Sequence, residues 1–144
     1  MTIRVAHASD YDEIVRLWEA SVRASHDFLS ENAIAELRVN IARDYLPVLR
    51  VHRFLDAAGV MQGFVADAGD KIEMLFIAPD ARGTGIGKAL LTFALSLGCR
   101  WVDVNEQNPH ALHFYQKMGF EITGRSPLDG QGNPFPLLHM QHPG

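Results

Sequence analysis

Between Leu75 and Lys88 the chain reads Leu-Phe-Ile-Ala-Pro-Asp-Ala-Arg-Gly-Thr-Gly-Ile-Gly-Lys. An apolar strand end passes through a glycine-rich turn into the start of an amphipathic helix. Glycines at 83, 85 and 87 let backbone N–H groups come close to an anion, and the positive end of the helix dipole favours negative charge there. Arg82 and Lys88 add cations on either side. The chemistry this pattern suits is the holding of a phosphate or diphosphate.

Phosphate loops come in recognisable kinds, and two of them fail here. A P-loop requires G-x-x-x-x-G-K-[ST], but Arg82 stands at its first glycine and Ala89 at its final hydroxyl. A dinucleotide fingerprint requires G-x-G-x-x-G; Gly83 and Gly85 fit, but Lys88 occupies the third glycine position. A glycine turn that merely caps a helix is the third reading. Other reactive side chains are isolated. Cys99 is the single cysteine, and His110 and His113 lie three apart on a predicted helix with no further ligand cluster. His26 and Asp27 sit in a polar break between two predicted helices.

The elements that must position these groups follow from periodicity. Residues 2–7 read as a strand. Ile14, Leu17, Trp18 and Val22 recur at helical spacing and predict a helix over 10–24. Ser30 caps a second helix carrying Ile34, Leu37, Ile41 and Tyr45, which Pro47 ends. Strands are expected at 51–57, 60–67 and 71–77, separated by short glycine turns. A third helix starts near Ile86 and stops at Gly98, and a short strand covers 100–104. Asn108 caps a fourth helix with Pro109 at its first position and Gly119 just past its end. Residues 120–124 and 137–141 form a closing hairpin around a Gly/Pro-rich loop. The order β-α-α-β-β-β-α-β-α-β-β describes one mixed α/β domain over residues 1–144, without repeats or a dividing linker.

Composition narrows the function class. Apolar residues make up 47% and charged residues 21% of the 144, ordinary for a globular domain. A net charge of −4 argues against general nucleic-acid binding, which needs clustered Lys and Arg. The longest apolar run, 74–79, is too short to cross a bilayer. The N-terminal residues have no signal-peptide character, so the cytoplasm is the expected compartment.

The pattern R-x-x-G-x-G, met by Arg82, Gly85 and Gly87 after the strand end L-F-I-x-P, resembles the coenzyme A loop of the GNAT N-acetyltransferase superfamily. A second block, Asn108-x-x-Ala111-x-x-Phe114-Tyr115-x-Lys117-x-Gly119-Phe120, is similar to that family's other signature. The resemblance covers the whole chain. It implies a GNAT fold: a central twisted, mostly antiparallel sheet of about seven strands flanked by four helices. Segments 25–30, 104–108, 124–126 and 136–138 resemble one bacterial branch of the family, which tilts the acceptor towards protein lysine.

The resemblance further implies acetyl-coenzyme A as cosubstrate, with no metal. Main-chain groups of Leu75, Phe76 and Ile77 would pair with the pantetheine arm. Backbone amides of the loop Arg82, Gly83, Thr84, Gly85, Ile86, Gly87 and Lys88 would hold the diphosphate, and Asn108 and Asn105 would contact pantetheine. Tyr115 is the catalytic residue it implies, a phenol that protonates the departing thiolate. From ordinary pKa values of about 10 and 8.5 that transfer is uphill by about 2 kcal/mol in water. A direct attack needs a neutral amine. Deprotonating a lysine at pH 7 costs about 4.6 kcal/mol, against about 1–1.4 for an α-amine. A base would therefore help a lysine acceptor, and Glu73 and Asp103 are both candidates.

The acceptor expected on this reading is a primary amine: a protein lysine, a protein N-terminus or a small metabolite. His26 and Asp27, with Arg125, Asp129 and Phe135 of the late loop, are expected to border its pocket. A homodimer is a common assembly in the superfamily. Two other functions share the same loop: a coenzyme A-binding sensor or interaction module without catalysis, for which the Tyr115 phenol would be superfluous, and a nucleotide-binding protein.

Overall fold

A computed structural model describes residues 2–25 and 29–144. Seven strands form one sheet: β1 (Thr2–Val5), β2 (Arg50–Leu55), β3 (Met61–Asp67), β4 (Lys71–Ile77), β5 (Trp101–Asn105), β6 (Glu121–Ser126) and β7 (Leu137–Gln141). Their spatial order is β1-β2-β3-β4-β5-β7-β6. Every neighbouring pair is antiparallel except β4–β5. The helices are α1 (Tyr11–Ser25), α2 (Glu31–Asn40), α3 (Ile86–Ser96) and α4 (Pro109–Lys117).

Apolar alternation along the strands divides the core in two. On one face Ile14, Trp18 and Val22 of α1 and Ile34 of α2 pack with Phe64, Ala66 and Met74. On the other, Leu90, Leu91 and Ala94 of α3 and Tyr115 of α4 pack with Val65, Ile72, Val102, Val104 and Met140. β3 is covered on both sides, so its buried run Phe64–Asp67 shows no polar alternation. Gly63 lets α3 settle on the sheet. A Cβ there would lie 2.9 Å from Ile77 Cδ1 and 3.1 Å from Leu90 Cδ1.

α2 departs from the expected continuous helix. Ser30 Oγ accepts from the Ala33 amide as predicted, but residues Ile41–Tyr45 form a wide π-type turn and Leu46–Val48 a tight 3₁₀ turn. Pro47 cannot donate an amide and its ring opposes the carbonyl four residues back, so the α pattern fails before it arrives. Ile41 and Leu46, five residues apart, are both buried as a result.

One irregularity creates the cleft. β4 pairs with β5 only at Lys71↔Trp101 and Ile72↔Val102. At that point the β3–β4 register jumps from Asp67↔Ile72 to Ala66↔Met74, leaving Glu73 as an extra residue in a bulge. A bulge bends its strand and ends local pairing. Beyond it β4 and β5 diverge like the arms of a fork.

Candidate active site

The Ala78 amide bonds to the Gln62 carbonyl at 2.9 Å. In an antiparallel pair such bonding residues alternate, so Phe76 also turns its main chain to β3, while Leu75 and Ile77 turn theirs towards the gap before β5. The cleft there has a volume of about 700 Å³. β4 and β5 form its arms, α4 one wall, and the glycine loop its far end.

That loop is built for close approach. Gly83 and Gly85 have φ of +76° and +87°, a left-handed conformation that costs an ordinary residue about 1–2 kcal/mol. Gly85 is the N-cap of α3 and offers no side chain, leaving the first helical amides uncapped. A Cβ on Gly87 would meet the Phe114 ring at an ordinary 3.5 Å. Packing therefore does not demand that glycine; its absent side chain leaves the helix start bare on the cleft side.

All of the predicted site residues except Thr84 line the cleft. The Thr84 hydroxyl turns back to donate to the Ala81 carbonyl. The Arg82 guanidinium donates to the Ser21 carbonyl at 3.1 Å, so this cation ties the loop to the end of α1. Asn108 accepts from the Ala111 amide at 3.2 Å as the cap of α4, and Asn105 accepts from the Gln107 amide at 2.8 Å in the preceding turn. Tyr115 is buried between Phe114 and Phe120, edge-on to both rings. Burial pushes its phenol well above the ordinary value, so it stays protonated at neutral pH.

The two candidate bases differ. Glu73 stands on the bulge, half-exposed, with Lys71 Nζ at 3.9 Å. Asp103 has both oxygens taken: Oδ2 accepts from Lys71 Nζ at 2.7 Å and Oδ1 from His139 Nδ1 at 2.6 Å. Burial opposes its ionisation, but those two hydrogen bonds outweigh it and hold the carboxyl below the usual carboxylate range.

The sequence matches the family model for the acetyltransferase (GNAT) domain over residues 50–122, the segment holding the fork, the glycine loop and Tyr115. The chain belongs to the GNAT acetyltransferase family. It is 40% identical to the peptidyl-lysine N-acetyltransferase YjaB of Salmonella typhimurium, with 99% of each chain covered. The solution structure of apo-form YjaB from Escherichia coli superimposes with a TM-score of 0.89 at 39% identity, covering 99% of this chain and 97% of that one. The fold is also that of PaiA N-acetyltransferase from Thermoplasma acidophilum, solved in complex with coenzyme A, at a TM-score of 0.75, 19% identity and 99% coverage of both chains.

Other residues of this GNAT acetyltransferase fall as follows. Cys99 is fully buried with its thiol 3.5 Å from the Gly69 carbonyl, and burial raises its pKa; it does not line the cleft. His110 does, and His113 does not. Among the described residues no helix is long and apolar enough to cross a membrane. His26 and Asp27 lie outside the described residues. Arg125 pairs with Glu106, and Asp129 accepts from the Gln131 and Asn133 amides within its own loop. That loop is anchored to the π-type turn by Gln131 Nε2 donating to the Tyr45 hydroxyl. Sequence reasoning passed over Lys71, Ser126 and His139, which stand far apart along the chain and meet only through strand register.

Proposed function

We propose that residues 1–144 form a single domain that acetylates the side-chain amine of protein lysines, with acetyl-coenzyme A as donor, in the cytoplasm. The observation that carries this reading is the fork. A bare strand edge at Leu75 and Ile77 faces a cleft that runs from an uncapped helix start to a buried phenol. These residues suit the donor: unpaired main chain for an extended amide-bearing arm, convergent amides for a diphosphate, and a proton donor at the inner wall.

Leu75 and Ile77 hold the arm as an added strand would, and an amide of β4 polarises the acetyl carbonyl. Amides at the start of α3 hold the diphosphate, while Arg82 holds the loop. Asn108 and Asn105 border the arm's path. Tyr115 gives its proton to the departing sulfur. The dry wall raises the phenol's pKa, and the same dryness raises that of a thiolate beside it, so the difference of about 2 kcal/mol found in water carries over. Glu73, the cleft carboxylate without a short ion pair, takes the amine's proton. The lysine acceptor is supported by the YjaB relatives, whose names give peptidyl-lysine as substrate.

The test is release of free coenzyme A from acetyl-coenzyme A in the presence of lysine peptides, run beside Tyr115→Phe. Turnover should fall about a hundredfold or more while calorimetry shows donor affinity little changed. A wild-type protein that binds the donor but releases nothing with any amine would leave a binding module instead.

A further inference from the structure

The cleft passes through the sheet between β4 and β5, and its two ends are lined differently. Along β4, Leu75 and Ile77 pack with the α3 and α4 side of the core, whereas Met74 and Phe76 pack with the α1 side. Residues of both sets line the cleft. On β5, Asp103 and Asn105 alternate with the buried Val102 and Val104, which belong to the α3 and α4 side, and so face the α1 end. Lys71 Nζ, 2.7 Å from Asp103 Oδ2 and 3.9 Å from Glu73 Oε1, puts the Glu73 carboxylate at that end as well.

We propose that the Phe76 side chain, with Met74 beside it, is the acceptor-specificity wall of the cleft: it packs on the methylene stem of the acceptor and selects a lysine over a shorter amine. This rests on the transferase reading above. The start of α3 and Tyr115 belong to the α3 and α4 end, and a donor seated on the main chain of Leu75 and Ile77 fills it. The amine must therefore reach the acyl carbon from the α1 end. Phe76 turns its main chain to β3, so its ring is what it gives to the cleft.

The packing suits the task. The Phe76 ring stacks on Phe64 with centroids 5.9 Å apart and planes at 28°. Phe64 is fully buried, so the outer ring is backed by rigid core, while Phe76 itself is only partly buried and lines the cleft. Glu73 stands three positions earlier on the same strand, roughly 10 Å away along it. An apolar wall leading to a carboxylate matches a side chain that is apolar along its stem and cationic at its tip. The nearby cations are engaged elsewhere, Lys71 with Asp103 and Arg82 with the Ser21 carbonyl. Each stem methylene taken out of water against the ring strengthens binding about fourfold.

The experiment compares kcat/KM for two peptides that differ only in the acceptor residue, lysine in one and ornithine in the other. It is run at saturating acetyl-coenzyme A for wild type and Phe76→Ala, with calorimetry of coenzyme A binding alongside. Wild type should favour lysine by about fourfold or more. The variant should lose most of that preference, falling further on lysine than on ornithine, and bind coenzyme A as wild type does. If Phe76→Ala unfolds in a melting scan for want of the Phe64 stack, Phe76→Leu carries the same test and should reduce the preference in part. A wild type that treats the two peptides alike, an equal loss on both, or a loss of coenzyme A affinity overturns the wall. Absence of wild-type turnover with any amine would instead overturn the reading beneath it.

Discussion

The two sides of the cleft are built by different means. One side is main chain: a strand edge released by a bulge, two glycines in left-handed backbone, and a helix start with no cap. Its side chains mostly look away, Thr84 into its own turn and Arg82 onto α1. The other side is side chain: Glu73 and Asp103 line it, and Lys71, His139 and Ser126 are joined to them by hydrogen bonds and ion pairs across four strands. Backbone recognition tolerates most substitutions other than those that alter φ or fill space. Side-chain recognition fails with loss of a single atom.

Variants can break that contrast. The largest effect should come from Gly85→Val, which places a branched residue at φ +87°. Stability should fall by at least about 1–2 kcal/mol and donor affinity by about tenfold or more, read by thermal melting and calorimetry. An unchanged donor affinity would remove the loop from the site. Lys71→Met should lower kcat/KM for the acceptor several-fold and leave donor affinity alone, with stability altered by no more than about 1 kcal/mol because the pair is partly exposed.

A subtler effect concerns acid. The Asp103 carboxyl is held below its ordinary value in the folded protein. Its stabilisation is therefore present above the unfolded value of about 3.9 and lost as pH falls through the lower folded value. Asp103→Asn should flatten that part of an acid-unfolding curve below about pH 4 by circular dichroism; an identical curve would mean the carboxylate is no better held folded than unfolded. The smallest change in stability belongs to Gly87→Ala, neutral or favourable by up to about 1 kcal/mol in a helix. Calorimetry should nonetheless show weaker donor binding, because the new methyl narrows the cleft; equal affinity would place the diphosphate elsewhere.

The same contrast explains what could be read beforehand. The element order, the glycine loop, the Ser30 and Asn108 caps and the place of Tyr115 all rest on neighbours within a few residues, so local pattern exposes them. The bulge at Glu73 has no such signature, since its cause is a register mismatch with β3. The π-type turn before Pro47 was hidden because its buried residues also satisfy a plain helix. Asp103 and His139, 36 residues apart, face one another only after β7 inserts between β5 and β6. Their pairing also occupies both oxygens of Asp103, which its residue type alone left open.

Glu73 stands outside the β3–β4 ladder as a single surplus residue, and this makes the cleft vulnerable to a kind of change that substitutions do not probe. Removing that one position would let β4 continue alongside β5. The strand edge would then be satisfied from within, and the protein would trade its binding slot for an unbroken sheet. In this architecture length, more than residue identity, keeps the slot open.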